Sequence, residues 1–179
     1  MNSILMTERN INYEQYFLQM ILMDDIWTSI KIYMYPIKKK CTYSKYINGD
    51  IAAFYGYLAL IKEKKYITFT FDAMNYAAKN GHLEVVKWLH FNRKEGFNFC
   101  TMNLAAANGH LEVVKWLHLN RKEGCTFDAM NWAAENGHLE VIEWLHLNRK
   151  EGCTVYAMDL AANNGHLEVV KWLHFNRRM

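Results

Sequence analysis

The side chains with the most obvious chemical capacity in this sequence are its eight histidines, which fall into two ladders. His82, His110, His138 and His166 form one, and His90, His118, His146 and His174 the other, each stepping by 28 residues. So many imidazoles raise the question of a metal site. Zinc needs four ligands converging on one point, with bonds of about 2.0–2.3 Å. Here the members of a ladder belong to successive copies of one unit, and no copy adds a matched set of cysteines or carboxylates. No metal site and no cofactor are expected. Catalysis finds no better footing: there is no glycine-rich phosphate loop, no G-x-S-x-G and no H-E-x-x-H. No cysteine–histidine pair stands apart from the repeat pattern. An enzyme would need residues that break the period, and only residues 1–68 have room for them. The reading is that the chain is not an enzyme and has no catalytic residues.

Two further groups carry possible chemistry. Trp88, Trp116, Trp144 and Trp172 keep the same 28-residue beat, and a row of indoles could stack nucleobases or cage a methylated lysine. The reading is packing between helices. The four cysteines, Cys41, Cys100, Cys125 and Cys153, include no C-x-x-C pair. No secretory signal opens the chain. Reduced thiols in an intracellular, cytoplasmic setting are expected, with Cys125 and Cys153 serving as small apolar residues. Lys38-Lys39-Lys40 beside Pro36 reads as a solvated turn rather than a nuclear signal.

The elements that position these groups are set by the period. The string N-G-H-L-E-V begins at Asn80, Asn108, Asn136 and Asn164, and R-K-E-G recurs at Arg93–Gly96, Arg121–Gly124 and Arg149–Gly152. A fixed period of this length signals a repeat architecture. Four units follow: 69–96, 97–124, 125–152 and 153–179. Each reads as two short helices. Thr70, Asn98, Thr126 and Thr154 share one position suited to an N-cap, where a side-chain oxygen accepts an orphan N–H. Asp72 and Asp128 follow two residues later, well placed against the helix dipole. Phe127, Met130, Ala133 and Ala134 make one apolar stripe, and the alanine pair admits a close neighbour. Asn136-Gly137 ends this helix. The second begins at His138-Leu139 and is expected to bury Leu139, Val141, Ile142, Trp144 and Leu145, with Glu140 and Glu143 in water. Neither helix is long enough to stand alone, so stacking on the next copy must stabilise it.

Composition agrees with a packed fold. Hydrophobic residues make up 51% and charged residues 22%, which excludes a disordered tail. The net charge of +3 comes from residues 1–68, with 9 basic against 6 acidic residues; residues 69–179 hold 12 of each. A neutral array lacks the basic stripe of a nucleic-acid binder. Residues 11–35 are apolar-rich, yet Glu14, Gln15, Gln19, Asp24, Asp25 and Lys31 interrupt them, so no membrane span is expected.

Residues 72–89, from Asp72-Ala73-Met74-Asn75 through Ala77-Ala78-Lys79-Asn80-Gly81-His82-Leu83-Glu84-Val85 to Leu89, resemble the ankyrin repeat. They align without a gap on T-P-L-H-L-A-A-x-N-G-H-L-E-V-V-K-L-L, and four copies cover 69–179. The resemblance implies an all-α helical solenoid that binds a protein partner. It places the first histidine ladder at a structural position and the tryptophans where the family has a core leucine. T-P-L-H is replaced by D-A-M-N and its cognates Cys100–Asn103 and Tyr156–Asp159, which puts that motif's hydrogen bonds between repeats in question. The unit is also shorter than the family's usual 33 or so residues. The shortfall lies between Leu89 and Cys100, so the β-hairpin fingers are expected to be short or absent. Such short units are similar to those in giant DNA viruses and some protists, which would place a viral protein in the host cytoplasm.

Upstream, Asn48-Gly49-Asp50-Ile51-Ala52-Ala53-Phe54 reads as a worn N-G-H-L-E-V-V, making 41–68 a degenerate repeat. Residues 1–40 form an N-terminal helical cap segment in which Ile11, Phe17, Leu18, Ile21, Leu22 and Ile26 would cover the first repeat. Recognition should use positions that differ between near-identical units. These are Lys79, Ala107, Glu135 and Asn163; Tyr76, Leu104, Trp132 and Leu160; and Asp72, Cys100, Asp128 and Tyr156. In the family the first helices line the concave face. The expected partner is a protein, not nucleic acid or a membrane. The alternative is self-association through the last unit, which keeps Leu167, Val169, Val170, Trp172 and Leu173 and adds only Arg177 and Arg178.

Overall fold

The computed structural model describes residues 48–63, 67–93 and 98–176. The chain divides into two units, Met1–Thr42 and Tyr43–Met179. The proposed cap segment 1–40, the triple lysine, Cys41, the first R-K-E-G turn beyond Arg93 and Arg177–Arg178 lie outside the described residues.

Ten helices are described, and no strand occurs among the described residues: α1 (Gly49–Phe54), α2 (Leu58–Glu63), α3 (Asp72–Lys79), α4 (Leu83–Asn92), α5 (Cys100–Ala107), α6 (Leu111–Asn120), α7 (Phe127–Glu135), α8 (Leu139–Asn148), α9 (Tyr156–Asn163) and α10 (Leu167–Asn176). They form five hairpins. Helix one of each hairpin packs on helix one of the next, through the series α1, α3, α5, α7 and α9. The second helices stack in a parallel row. The two fully described links between hairpins, 121–126 and 149–155, are irregular rather than β-hairpins.

The alanine pairs explain the tight helix-one stack. Ala77-Ala78, Ala105-Ala106 and Ala133-Ala134 are wholly buried, and small side chains let backbones approach. Helix two supplies the bulk: Val85, Val86 and Leu89, with their counterparts Val113, Val114, Leu117, Val141, Ile142 and Leu145, fill the space behind. Burying one such aliphatic side chain is worth roughly 1.5–3 kcal/mol, which short helices otherwise lack. Two expectations need correction. Phe127 is exposed, as are Phe71, Phe99 and Val155 at the same position; the first turn of helix one points past the stack, and Ala129 begins the buried stripe instead. Leu139 and Trp144 are half-buried, at the edge of the core rather than inside it.

The turn within each hairpin is the most constrained point. Gly109 has φ +75°, a left-handed value that costs other residues dearly, and a Cβ there would lie 2.6 Å from the His138 ring. The same geometry recurs at Gly56 beneath His82, Gly81 beneath His110 and Gly137 beneath His166. His82 Nε2 donates to the Phe54 carbonyl (3.0 Å) and His110 Nε2 to the Lys79 carbonyl (2.9 Å). Helix one of one unit thus has an orphan C-terminal carbonyl satisfied by the next unit. The first histidine ladder is structural.

This pattern also corrects the register upstream. Asn48-Gly49 does not end a helix; Asn48 is the N-cap of α1, its side chain accepting from the Ile51 N–H at 2.8 Å. The true equivalent of Asn80-Gly81-His82-Leu83 is Tyr55-Gly56-Tyr57-Leu58. Ala52-Ala53 stands for Ala77-Ala78, 25 residues earlier.

Candidate partner-binding face

The side chains singled out on helix one sit on a scaffold of polar clasps between units. Asn103 Oδ1 accepts the Thr126 N–H (3.0 Å) while its Nδ2 donates to Thr126 Oγ1 (2.8 Å). Asn131 holds Thr154 in the same two-point grip, at 3.0 and 2.9 Å. Asp50 takes the role for Thr70, accepting from both its N–H and its hydroxyl at 2.8 Å. At the remaining junction Asn98 replaces the threonine, and Asn75 accepts from the Thr101 hydroxyl instead (2.7 Å). Asn103 and Asn131 are buried, and pairing both ends of each amide removes the cost of burying it. The N-terminal residue of one helix one is therefore fixed by the unit before it. Local caps complete the job: Thr126 Oγ1 accepts from the Asp128 N–H at 3.2 Å, Thr70 Oγ1 from Asp72 at 3.1 Å, and Asn98 Oδ1 from Cys100 at 3.0 Å.

With the helices so fixed, the variable positions line up along the stack. Tyr76 is exposed, and Leu104, Trp132 and Leu160 are half-buried at the same place on α5, α7 and α9. Lys79 and Asn163 are exposed, while Ala107 and Glu135 are half-buried. Tyr156 is exposed and Cys100 half-buried. Asp72 and Asp128 are half-buried, and Asp128 is committed in part to its own helix, its Oδ2 accepting the Thr126 hydroxyl at 3.0 Å. The corrected register adds two residues that sequence reasoning missed. Ile51 stands where Tyr76 does in the next unit, and Phe54 stands in the place of Lys79. Both are partly exposed, and the Phe54 ring meets Tyr76 edge-on, 5.8 Å between centroids. The alanine pair at 52–53 was the signal that would have found them.

The other face and the loop edge carry the second histidine ladder. His90 lies edge-on to Trp116 at 5.0 Å, His118 to Trp144 at 5.2 Å and His146 to Trp172 at 5.1 Å. Arg121 Nη1 donates to His90 Nδ1 and Arg149 Nη1 to His118 Nδ1, both at 3.3 Å. These arginines are also paired with Glu123 and Glu151 in their own turns. Burial, then the Arg121 charge, depresses the His90 pKa below the ordinary 6.5. Burial depresses those of His82 and His138. It also raises the Cys125 thiol, which suits a packing role. Among the described residues no group of three or more His, Cys, Asp or Glu is placed to hold a metal ion. No helix among them is long and apolar enough to cross a membrane.

Hairpins of two short helices, stacked through a shared glycine–histidine turn, are matched by a model described as ankyrin repeats (3 copies), over residues 74–159 and 102–177. These matches span more than half of the sequence. The chain belongs to the ankyrin repeat family. Ankyrin repeats are in general protein–protein interaction modules, and the family is typically non-enzymatic. No curated protein matches the sequence. Against the ankyrin pattern, the asparagine of D-A-M-N now has a function: it makes the inter-repeat bonds that the loss of T-P-L-H had put in question.

Proposed function

We propose that this ankyrin array binds a protein partner through the concave, helix-one face, without catalysis and without nucleic acid or a membrane as ligand. The observation that carries the reading is the apolar row Ile51, Tyr76, Leu104, Trp132 and Leu160 on the accessible side of helix one. Beside it runs the row that varies most between units, Phe54, Lys79, Ala107, Glu135 and Asn163. An aromatic anchor flanked by residues that change from unit to unit suits a specific interface, because few central residues supply most of the binding energy. Asp72, Asp128 and Tyr156 extend the face toward the loop edge. The hairpin 49–63 acts as a degenerate first repeat, so the face spans five units rather than four. The test is affinity capture from the native cell with mass spectrometry, using wild type and a Trp132→Ala/Glu135→Lys variant in parallel. The variant should lose the wild-type partner while keeping its circular dichroism. Retention of that partner would sink the concave-face reading.

A second reading, self-association through the last repeat, is supported by the state of α9 and α10. Gly165 has nothing within 4 Å where earlier glycines carry a histidine ring. Ala162 is exposed where its counterparts Ala78, Ala106 and Ala134 are buried, and Leu167 is exposed where Leu83, Leu111 and Leu139 are half-buried. A substitution at Leu167, included in the sedimentation experiment below, tests this reading.

A further inference from the structure

The outer face of the second helices carries a feature that neither reading uses. In α4 the buried residues are Val85, Val86 and Leu89, so position 91 falls on the opposite side of the helix. Polar residues belong there. Instead Phe91, Leu119, Leu147 and Phe175 occupy it, 73%, 79%, 81% and 82% exposed. They contribute almost nothing to the core. A single exposed leucine is ordinary; four at one position make a row with steps of roughly 8–10 Å, the spacing of packed helices. The amide that follows offers little to a polar partner, since Asn92, Asn120, Asn148 and Asn176 each donate back to the tryptophan carbonyl four residues earlier.

One turn before the apolar row, on the same face, stand Lys87, Lys115, Glu143 and Lys171. The three lysines are paired within their own helices, with Glu84 (2.7 Å), Glu112 (2.8 Å) and Glu168 (2.8 Å). In α8 a glutamate replaces the lysine, so Glu140 and Glu143 leave that helix with surplus negative charge at an exposed site.

We propose that this face is the contact surface for a second copy of the chain, in a closed two-fold dimer. The row reads Phe, Leu, Leu, Phe, the same in both directions, as a self-complementary interface demands. A two-fold axis parallel to the helices, passing between α6 and α8, reverses the order of repeats and keeps each row at its own level. Leu119 then meets the partner's Leu147, and Phe91 meets the partner's Phe175. The same axis sets Lys115 against the partner's Glu143, so each Lys115, paired in its own helix with Glu112, serves a second carboxylate across the seam and offsets the approach of Glu112 to the partner's Glu140. At the ends Lys87 meets the partner's Lys171, each neutralised by its own glutamate. Two phenylalanines and two leucines, with the helix surface around them, would remove on the order of 600 Å² per protomer. The total, roughly 1,200 Å², lies at the lower limit of stable interfaces. It predicts a reversible dimer that leaves the helix-one face open.

Sedimentation equilibrium on the full chain, up to ~100 µM, decides the matter. A monomer–dimer equilibrium that saturates at twice the monomer mass is expected. Leu119→Lys with Leu147→Lys should give a monomer with unchanged circular dichroism and, at concentrations where wild type is also monomeric, an unchanged unfolding midpoint, since both side chains are exposed in the single protomer. Lys115→Glu should weaken the dimer about tenfold, and adding Glu143→Lys should restore it. Leu167→Lys should leave the dimer intact. A wild-type monomer throughout, a dimer that survives the double lysine variant, or a charge swap without rescue would overturn the proposal. Open-ended growth abolished by Leu167→Lys would overturn it in favour of stacking through the last repeat.

Discussion

The two faces of this solenoid follow opposite rules. Along helix one the accessible positions change from unit to unit, Lys79 to Ala107 to Glu135 to Asn163, over a buried row of identical alanines. Along helix two the accessible positions barely change: Phe or Leu, then asparagine, with histidine before them. Variation on a fixed lattice gives a surface that can be specific for something unlike itself. Repetition gives a surface that fits either the neighbouring unit or its own image. Both faces depend on the same junctions, so damage to a junction should affect both, whereas a surface change should affect only one.

The largest effect should come from the turn. Gly137→Val places a branched side chain at φ +77° and under the His166 ring, and should lower stability by about 3 kcal/mol in chemical denaturation. An unfolding midpoint close to wild type would mean that the ring shifts freely and the turn is not a junction. Next, Asn103→Ala removes both bonds to Thr126 and leaves the Thr126 N–H without its partner, a loss of about 2 kcal/mol. The same change at the exposed Asn163 should be nearly silent. This contrast separates the clasp from general surface effects.

How much of this was readable in the sequence depends on how each feature is encoded. The hairpins, their turns and the structural histidines follow from local strings repeated four times, so period and propensity agree. The clasp was not readable, because Asn103 and Thr126 are distant in sequence and each looks complete locally, one as a helix residue and the other as a cap. Asn48-Gly49 misled for a related reason: the dipeptide that ends a helix in four places starts one here, and only its position relative to Ala52-Ala53 tells the two apart. The stack, not the helix, decided where Phe127 and Trp144 lie. Periodicity gives the buried side of a helix but not how far along its length the neighbour reaches.

The smallest effect is one of pH. His82, His90 and His138 have depressed pKa values, led in each case by burial. The folded state therefore prefers them neutral, and the unfolded chain takes up protons first. Stability is fully present above the ordinary imidazole pKa of about 6.5 and declines as pH falls below it. Thermal melts should show a lower midpoint at about pH 5.5 than at about pH 7.5. In His90→Gln the dependence should be reduced, and an unaltered slope would assign it to other groups.

The clasp has one consequence beyond stability. Every unit presents the receiving half of a junction on one side and the inserting half on the other. If residues 125–152 were excised, Asn103 would meet Thr154, Gly109 would lie beneath His166, and His118 would stand beside Trp172. Each is a pair of the kind already present. Units 97–124 and 125–152 are thus interchangeable parts: loss of either, 84 nucleotides at three per residue of the 28-residue period, leaves seams of kinds already present, whereas loss of 69–96 would set Asp50 against Asn98. The length of the recognition surface can change in a single genetic event without any part of it having to refold in a new way.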